Sequence, residues 1–105
     1  MVRPFAEREP STLLVRHLEA ESCFEARLDA AVGVLHYRRT GTGDASRLVI
    51  PSVVVDPAIQ GRGVAAALTR AALDWARREG LRVEPLCPYV DAWMRRHRDD
   101  EDLRA

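Results

Sequence analysis

Apolar residues recur with a helical period in one long stretch of the chain. The spacing i, i+4, i+7, i+8 and i+11 places five of them on one face of an α-helix, namely Val64, Leu68, Ala71, Ala72 and Trp75. Gly80 follows the last periodic turn, where glycine commonly ends a helix. The pattern therefore predicts a long amphipathic helix that begins near Val64 and ends at Gly80.

Short alternating stretches predict strands on both sides of this helix. They are expected at residues 13–18, 24–28, 32–39, 46–55 and 81–86. The first stretch, within LVRHLEAES, also fits a helical period, so both assignments stay open for it. The glycines at residues 41–44 accept the positive dihedral angles of a hairpin loop. Pro88 is suited to the first turn of a second helix.

Pro51 stands inside the strand predicted at residues 46–55. Proline cannot donate a hydrogen bond to a sheet, so it is tolerated at an edge, a bulge or a break in pairing. We therefore expect the sheet to be interrupted there. The order of elements, antiparallel strands followed by helix, strand and helix, predicts an α+β fold in which the long helix crosses over to a parallel strand.

The length of 105 residues allows one domain, and 47% hydrophobic residues suffice for a core. We expect a flexible leader at residues 1–11, because they carry two prolines and no apolar period. The domain is predicted at residues 12–98, and residues 99–105 are expected to form a polar tail that frays.

The charge balance limits the possible partners. Sixteen basic and sixteen acidic residues give a net charge of zero, so no general positive field favours nucleic acid. The sequence contains no lysine, which excludes a Schiff base or a phosphate clamp from that side chain. Three charged residues at intervals of four on the long helix are interpreted as a solvated face, namely Arg70, Asp74 and Arg78.

The remaining composition predicts a cytoplasmic protein without a membrane partner. No apolar run approaches the length of a membrane span, and the N-terminus lacks the pattern of a signal peptide. Cys23 and Cys87 are expected to be free thiols. The three histidines lack the spacing that places two metal ligands on one helix face, so no metal is expected.

A glycine-containing turn connects the fourth predicted strand to the long helix. Gly61 and Gly63 let the backbone approach an anion closely, and the unpaired amides of the first helical turn carry the positive end of the helix dipole. A P-loop is excluded because it needs lysine, and a Rossmann turn needs a third glycine. A turn of this kind without any ligand remains the alternative.

The spacing from Gln60 to Gly63 and Ala65 resembles the acyl-CoA pyrophosphate loop of the GNAT N-acetyltransferase superfamily, written Gln/Arg-x-x-Gly-x-Gly/Ala. Residues 55–97 are similar to the minimal single-domain branch of that superfamily, which has roughly one hundred residues. The tract LCPY at residues 86–89, followed by RRH at residues 95–97, is typical of that branch.

The resemblance implies a GNAT-like, mostly antiparallel mixed sheet with splayed central strands, and acetyl-CoA bound as cosubstrate in the cleft between them. The backbone of three residues before the loop would pair with the pantetheine arm, namely Val53, Val54 and Val55. The loop and the first helical turn would bind the pyrophosphate through Gln60, Gly61, Arg62, Gly63, Val64 and Ala65.

The chain departs from the family where a catalytic base is expected. Members of this branch commonly carry His-Thr-Glu where this chain has Ser52, Val53 and Val54, so the glutamate is missing. Trp93 stands where the resemblance implies an aromatic hydroxyl that protonates the thiolate. Tyr89 is the remaining nearby hydroxyl. Cys87, expected to line the cleft, could accept an acetyl group, act as acid or base, or fill space.

The sequence therefore predicts an acyl-CoA-dependent N-acyltransferase that moves acetyl to an unidentified amine by direct attack, with Cys87 and Tyr89 as candidate catalytic residues. An obligatory acetyl-cysteine is not expected, because transfer from one thioester to another gains no driving force. The alternatives are a non-catalytic CoA-binding or protein-interaction module on the same fold, and a small partner-binding domain with an empty loop.

Overall fold

Five strands form one mixed sheet in the order β1-β2-β3-β4-β5 in the computed structural model, which describes residues 13–105. The strands are β1 Leu14–Leu18, β2 Cys23–Leu28, β3 Ala31–Thr40, β4 Arg47–Val55 and β5 Arg82–Pro85. The first four pair antiparallel, and β5 pairs parallel with β4. The leader expected at residues 1–11 lies outside the described residues.

Two helices complete the architecture. Helix α1, Val64–Glu79, crosses over from β4 to β5, and α2, Pro88–Arg96, follows β5. Short 3-10 helices occur between these elements, at Glu19–Glu21, Gly43–Ala45, Pro57–Ile59 and Arg98–Leu103. The predicted α+β fold is confirmed, and the open choice for the first stretch is resolved in favour of a strand.

The proline in β4 interrupts the pairing as expected. The register of β3 against β4 shifts between His36 and Arg38, so that Ile50 and Pro51 stand opposite the single residue Tyr37. Two residues opposite one define a β-bulge, which bends the strand that carries it. The missing N–H of proline thus falls where the ladder is already disrupted.

One hydrophobic core lies between the helices and one face of the sheet. Its fully buried members include Leu35 of β3, Leu48 of β4 and Leu68 of α1, and α2 adds Val90 and Met94. Side chains of a strand alternate between the two faces, so their chain neighbours point away from this core. We call that other side the uncovered face; it carries the exposed side chains of His36, Arg38 and Val54.

The last residues pack against the domain, which differs from the fraying tail that the sequence predicted. Residues 98–103 form a 3-10 helix in which the Asp100 and Leu103 side chains are buried. The N–H of Ala105 then donates to the carbonyl of Val83 at 2.8 Å, and Arg104 forms a parallel bridge with the same residue. The polar composition of this segment predicted a frayed tail, but Leu103 anchors it in the core and the Asp100 carboxylate is buried.

Within residues 13–105, neither helix combines the length and the apolar character that a bilayer crossing requires.

Candidate active site

A cleft opens where β4 and β5 separate. Their parallel pairing ends at Ile50 and Pro85, and the N–H of Cys87 donates to the carbonyl of Ile50 at 2.9 Å. Beyond the bulge, β4 continues to Val55 with β3 as its partner. The splayed central strands predicted from the sequence are therefore present, and the bulge at Pro51 marks the point of separation.

The backbone of β4 presents polar groups to this cleft. The N–H of Asp56 donates to the carbonyl of Val32 on β3 at 3.1 Å. Because hydrogen-bonded and non-hydrogen-bonded pairs alternate in an antiparallel ladder, the polar groups of Val54 face β3, whereas those of Val53 and Val55 face away from it. The side chains of Val53 and Val55 pack against the core, and Val54 is 61% exposed on the uncovered face.

The loop between β4 and α1 is held by local contacts. The Asp56 carboxylate accepts the N–H of Ala58 at 2.9 Å, which starts the 3-10 turn, and the buried side chain of Ile59 anchors that turn in the core. The side-chain amide of Gln60 donates to the carbonyl of Val55 at 3.3 Å. Gln60 thus ties the loop to the end of β4.

Two glycines turn the loop into the helix. Gly61 and Gly63 have φ angles of 78° and 82°, in the left-handed region that favours glycine. Gly63 is the N-cap of α1 and provides no side chain to bond the first-turn amides. A Cβ atom at either glycine would meet no atom within 4 Å, so the space next to the loop backbone is open. The amides of this helix end are accessible to an anion.

Gly33 on β3 brings the start of α1 close to the sheet. A Cβ atom at this position would lie 2.7 Å from Cγ1 of Val64, the first residue of the helix. Any larger residue would displace the Val64 side chain, which packs the start of α1 against β3. Sequence reasoning missed this glycine, because a lone glycine in an alternating strand carries no local sign of the helix packed above it.

A cavity of about 200 Å³ lies between the loop, the start of α1 and α2. Its lining residues are Val55, Gln60, Gly61, Gly63, Val64, Ala65, Ala66 and Tyr89. The structure thus brings Tyr89 together with most of the predicted loop residues. Four predicted site residues do not line this cavity, namely Val53, Val54, Arg62 and Cys87. The Arg62 side chain is exposed and has no ion pair within residues 13–105.

Tyr89 is half-buried on the first turn of α2, with its ring 6.3 Å from that of Trp93. Burial raises the pKa of the Tyr89 hydroxyl above its ordinary value. The nearby charge of Arg96 lowers this pKa, and Cys87 raises it, but burial has the largest effect. The hydroxyl is therefore protonated at neutral pH. It can donate a proton to an anion formed in the cavity.

Cys87 is only 5% exposed and belongs to the core between α2 and β4. It is the N-cap residue of α2, and its carbonyl accepts the N–H of Asp91 at 3.0 Å. The described contacts of Cys87 with Ile50 and Asp91 are made by its backbone. The thiol fills space beneath the cleft rather than lining the cavity.

An ion pair between α1 and the C-terminal 3-10 helix also escaped the sequence reasoning. Arg70 donates two hydrogen bonds, of 2.9 and 2.8 Å, to the Asp100 carboxylate, whose side chain is 4% exposed. The Trp93 indole N–H lies 3.4 Å from the same carboxylate. These bonds lower the pKa of Asp100, Arg70 contributing most. Arg70 therefore connects two helices as well as pairing with Asp74 on its own face.

No group of three or more His, Cys, Asp or Glu side chains suited to holding a metal ion occurs in the part of the chain that the structure describes.

Comparison with known proteins identifies the family. A family model described as GCN5-related N-acetyl-transferase matches residues 23–103, which include β2 to β5, both helices and the loop at the cleft. No individually curated protein matches the chain. The family match covers most of the sequence and agrees with the splayed strands and the loop, so the chain belongs to the GCN5-related N-acetyltransferase family.

Proposed function

We propose that this protein transfers the acetyl group of acetyl-CoA to an amine by direct attack of the amine nitrogen on the thioester. The observation that carries the proposal is the open, uncapped start of α1 beside the cavity, at the end of the splayed strands of a family member. Acyl transfer is the chemistry of the family; acetyl-CoA and the amine acceptor are the proposal.

The amides of residues 61–65 would hold the pyrophosphate of the cosubstrate. They combine the accessible donors of a helix start with the positive end of its dipole, and the glycines leave room for close approach. Arg62 is exposed beside this site and would add one positive charge. The outward polar groups of Val53 and Val55 would pair with the pantetheine amides as a neighbouring strand does.

The protein would promote the reaction mainly by positioning. A thioester held along β4 presents its carbonyl to the backbone N–H groups of that strand, which stabilise the negative charge that develops on the oxygen. Tyr89, whose hydroxyl is protonated at neutral pH and whose pKa burial raises further, would give its proton to the departing thiolate and regain one from water. The amine loses its proton to water after the attack.

We propose no acetyl-cysteine intermediate on Cys87. Its thiol is buried in the core, and the cavity is lined by other residues. Direct attack needs one transfer instead of two. Cys87→Ala should therefore keep acetyl-CoA binding and a measurable fraction of turnover. An acetylated Cys87 peptide trapped during turnover, together with an inactive variant, would contradict this route.

Calorimetric titration of acetyl-CoA into Gly63→Val tests the binding site. Valine is strained at a φ of 82° and moves the loop amides, so we expect affinity to fall at least tenfold. Gly43→Val is the matched control, because Gly43 also has a positive φ and open space but lies in the hairpin between β3 and β4. Equal affinities of the two folded variants would refute the site.

A non-catalytic CoA-binding module is the second candidate function, since Val54 and Trp93 replace polar groups expected in a catalyst. The two candidates share the loop and differ in turnover. Release of free thiol from acetyl-CoA in the presence of amines supports the transferase. Binding of acetyl-CoA without thiol release from any amine would establish the module instead.

A further inference from the structure

Two exposed apolar side chains flank the opening between β4 and β5. Val54 follows the bulge on β4 and is 61% exposed, and Leu86 follows the last residue of β5 and is 54% exposed. Val34, half-buried on β3, is the register partner of Val54. Neighbouring apolar residues that remain exposed at an opening are typical of a surface that meets an apolar ligand.

The two strands around Val54 carry no carboxylate, because β3 and β4 contain neither aspartate nor glutamate. Glu84 of β5 pairs with Arg47 at 3.4 Å, and Glu25 of β2 pairs with Arg27 at 3.3 Å. The carboxylate of Asp56, after β4, accepts a backbone N–H. A protonated amine or a polycation between Val54 and Leu86 would therefore meet no carboxylate of β3 or β4, and the single carboxylate of β5 is already paired.

From this combination we infer that the acceptor is a weakly basic amine attached to an apolar group, such as an arylamine. This amine reaches the thioester from the uncovered face, between Val54 and Leu86. The inference rests on the proposed acetyl transfer and specifies its second substrate. It assigns Val54 and Leu86 to acceptor selection.

The chemistry of the amine explains how turnover proceeds without a carboxylate at position 54. An alkylamine is protonated at neutral pH and must lose a proton before its lone pair can attack, whereas an arylamine is already neutral. Apolar surroundings disfavour the charged ammonium further. The nitrogen lone pair forms the bond to the thioester carbon, and the carbon–sulfur bond breaks. One nitrogen proton is released to water and the thiolate gains one, so the products are an amide and CoA thiol.

Thiol release from acetyl-CoA with three acceptors tests the inference on the wild-type protein. Aniline and benzylamine both carry a phenyl ring but differ in basicity, and spermidine represents a polycation. At pH 7 we expect kcat/KM for aniline to be about tenfold higher than kcat/KM for benzylamine. The difference between aniline and spermidine should be larger still.

Two variants and one control test whether Val54 and Leu86 determine which acceptor is used. Val54→Glu supplies a carboxylate, so it should lower kcat/KM for aniline and raise it for benzylamine and spermidine about tenfold. Leu86→Glu should lower kcat/KM for aniline about tenfold, and Leu86→Gln is used if that variant fails to fold. Leu14→Glu, on β1 and away from the cleft, changes an equally exposed leucine (61%) and should have no effect.

The outcomes separate this inference from the proposed function. Turnover in which benzylamine or spermidine exceeds aniline, or equal effects of the changes at Leu86 and Leu14, overturns the acceptor class and leaves the transferase standing. Absence of thiol release with all three acceptors, while calorimetry detects acetyl-CoA binding, also overturns the acceptor class; the transferase itself is overturned only if no amine of a wider panel releases thiol.

Discussion

The two ends of α1 differ in how their main-chain groups are satisfied. At the N-terminal end, Gly63 caps the helix without a side chain, and the first-turn amides border a cavity. At the C-terminal end, Gly80 donates its N–H to the last-turn carbonyls, and the N–H of Leu81 donates to Ala76 at 2.9 Å. The first-turn amides at one end have no cap from the side chain of Gly63, whereas the last-turn carbonyls at the other end accept hydrogen bonds.

Packing follows the same division. Near the C-terminal end, Trp75 contacts a cluster in which His17 stacks on Phe24 with ring centroids 4.0 Å apart. The imidazole Nε2 of His17 and the hydroxyl of Tyr37 are 2.7 Å apart. Near the N-terminal end, Val64 and Leu68 are buried in the core, and the three residues between them are alanines. Both ends thus pack on the core, but the aromatic cluster lies at the C-terminal end, whereas the N-terminal end also borders the cavity.

Removing Trp75 should produce the largest effect and should confine it to stability. The side chain is 7% exposed, so Trp75→Ala is expected to lower the free energy of unfolding by about 3–5 kcal/mol. Acetyl-CoA affinity of the folded protein should stay within about twofold of wild type. Urea unfolding and calorimetry at low temperature measure the two quantities. A tenfold loss of affinity would show that the two ends are coupled.

Asp100→Asn should have the next largest effect, because it removes the negative partner of Arg70 at a nearly buried site. We expect a loss of about 2 kcal/mol in the free energy of unfolding. Asp102→Asn is the matched control: Asp102 pairs with Arg77 at 3.0 Å, but its side chain is 63% exposed, so the loss should be much smaller. Equal losses would contradict the assigned role of burial.

Tyr89→Phe tests the cavity at the N-terminal end of α1. Without the hydroxyl, the thiolate must take its proton from water, so kcat should fall about tenfold, equivalent to about 1.4 kcal/mol of activation free energy. Acetyl-CoA affinity and the midpoint of urea unfolding should remain close to wild type. Unchanged kcat with an intact fold would remove Tyr89 from the mechanism.

The smallest effect should be a pH dependence of stability at the packed end. Burial lowers the pKa of His17 below 6.5. The positive charge of Arg78 lowers this pKa as well, whereas the negative charge of Glu19 raises it. The unfolded chain therefore binds the proton more tightly than the folded chain, so the free energy of unfolding falls as pH decreases through about 6.5. His17→Gln should flatten this slope between pH 7.5 and about 5. An identical slope in the variant would assign the dependence to other groups.

The elements with strong local signals were predicted well. The period of apolar residues and the glycine stop indicated α1, which runs over Val64–Glu79, and the chemistry of Pro51 indicated the bulge that separates β4 from β5. The positive φ angles at Gly61 and Gly63 agree with the turn that their residue type predicted.

Features that depend on tertiary partners were not predicted. Arg70 was interpreted as part of a solvated face, because Asp100 is thirty residues away and its burial follows from the packing of Leu103. Cys87 was expected to line the cleft, yet alternation at the end of β5 directs it into the core. Local sequence patterns predict helices, strands and turns. Whether a residue at the end of a strand is buried depends instead on which helix packs against it.

The bridge from Arg104 and Ala105 to Val83 has a consequence for aggregation. These last residues satisfy main-chain groups on the outer side of β5, so that this short strand has hydrogen-bonded neighbours on both sides. Without them, unpaired N–H and C=O groups would face solvent along a strand whose Val83 side chain is buried, and such an edge recruits strands of other molecules. The C-terminal residues thus protect the wall of the cleft from self-association.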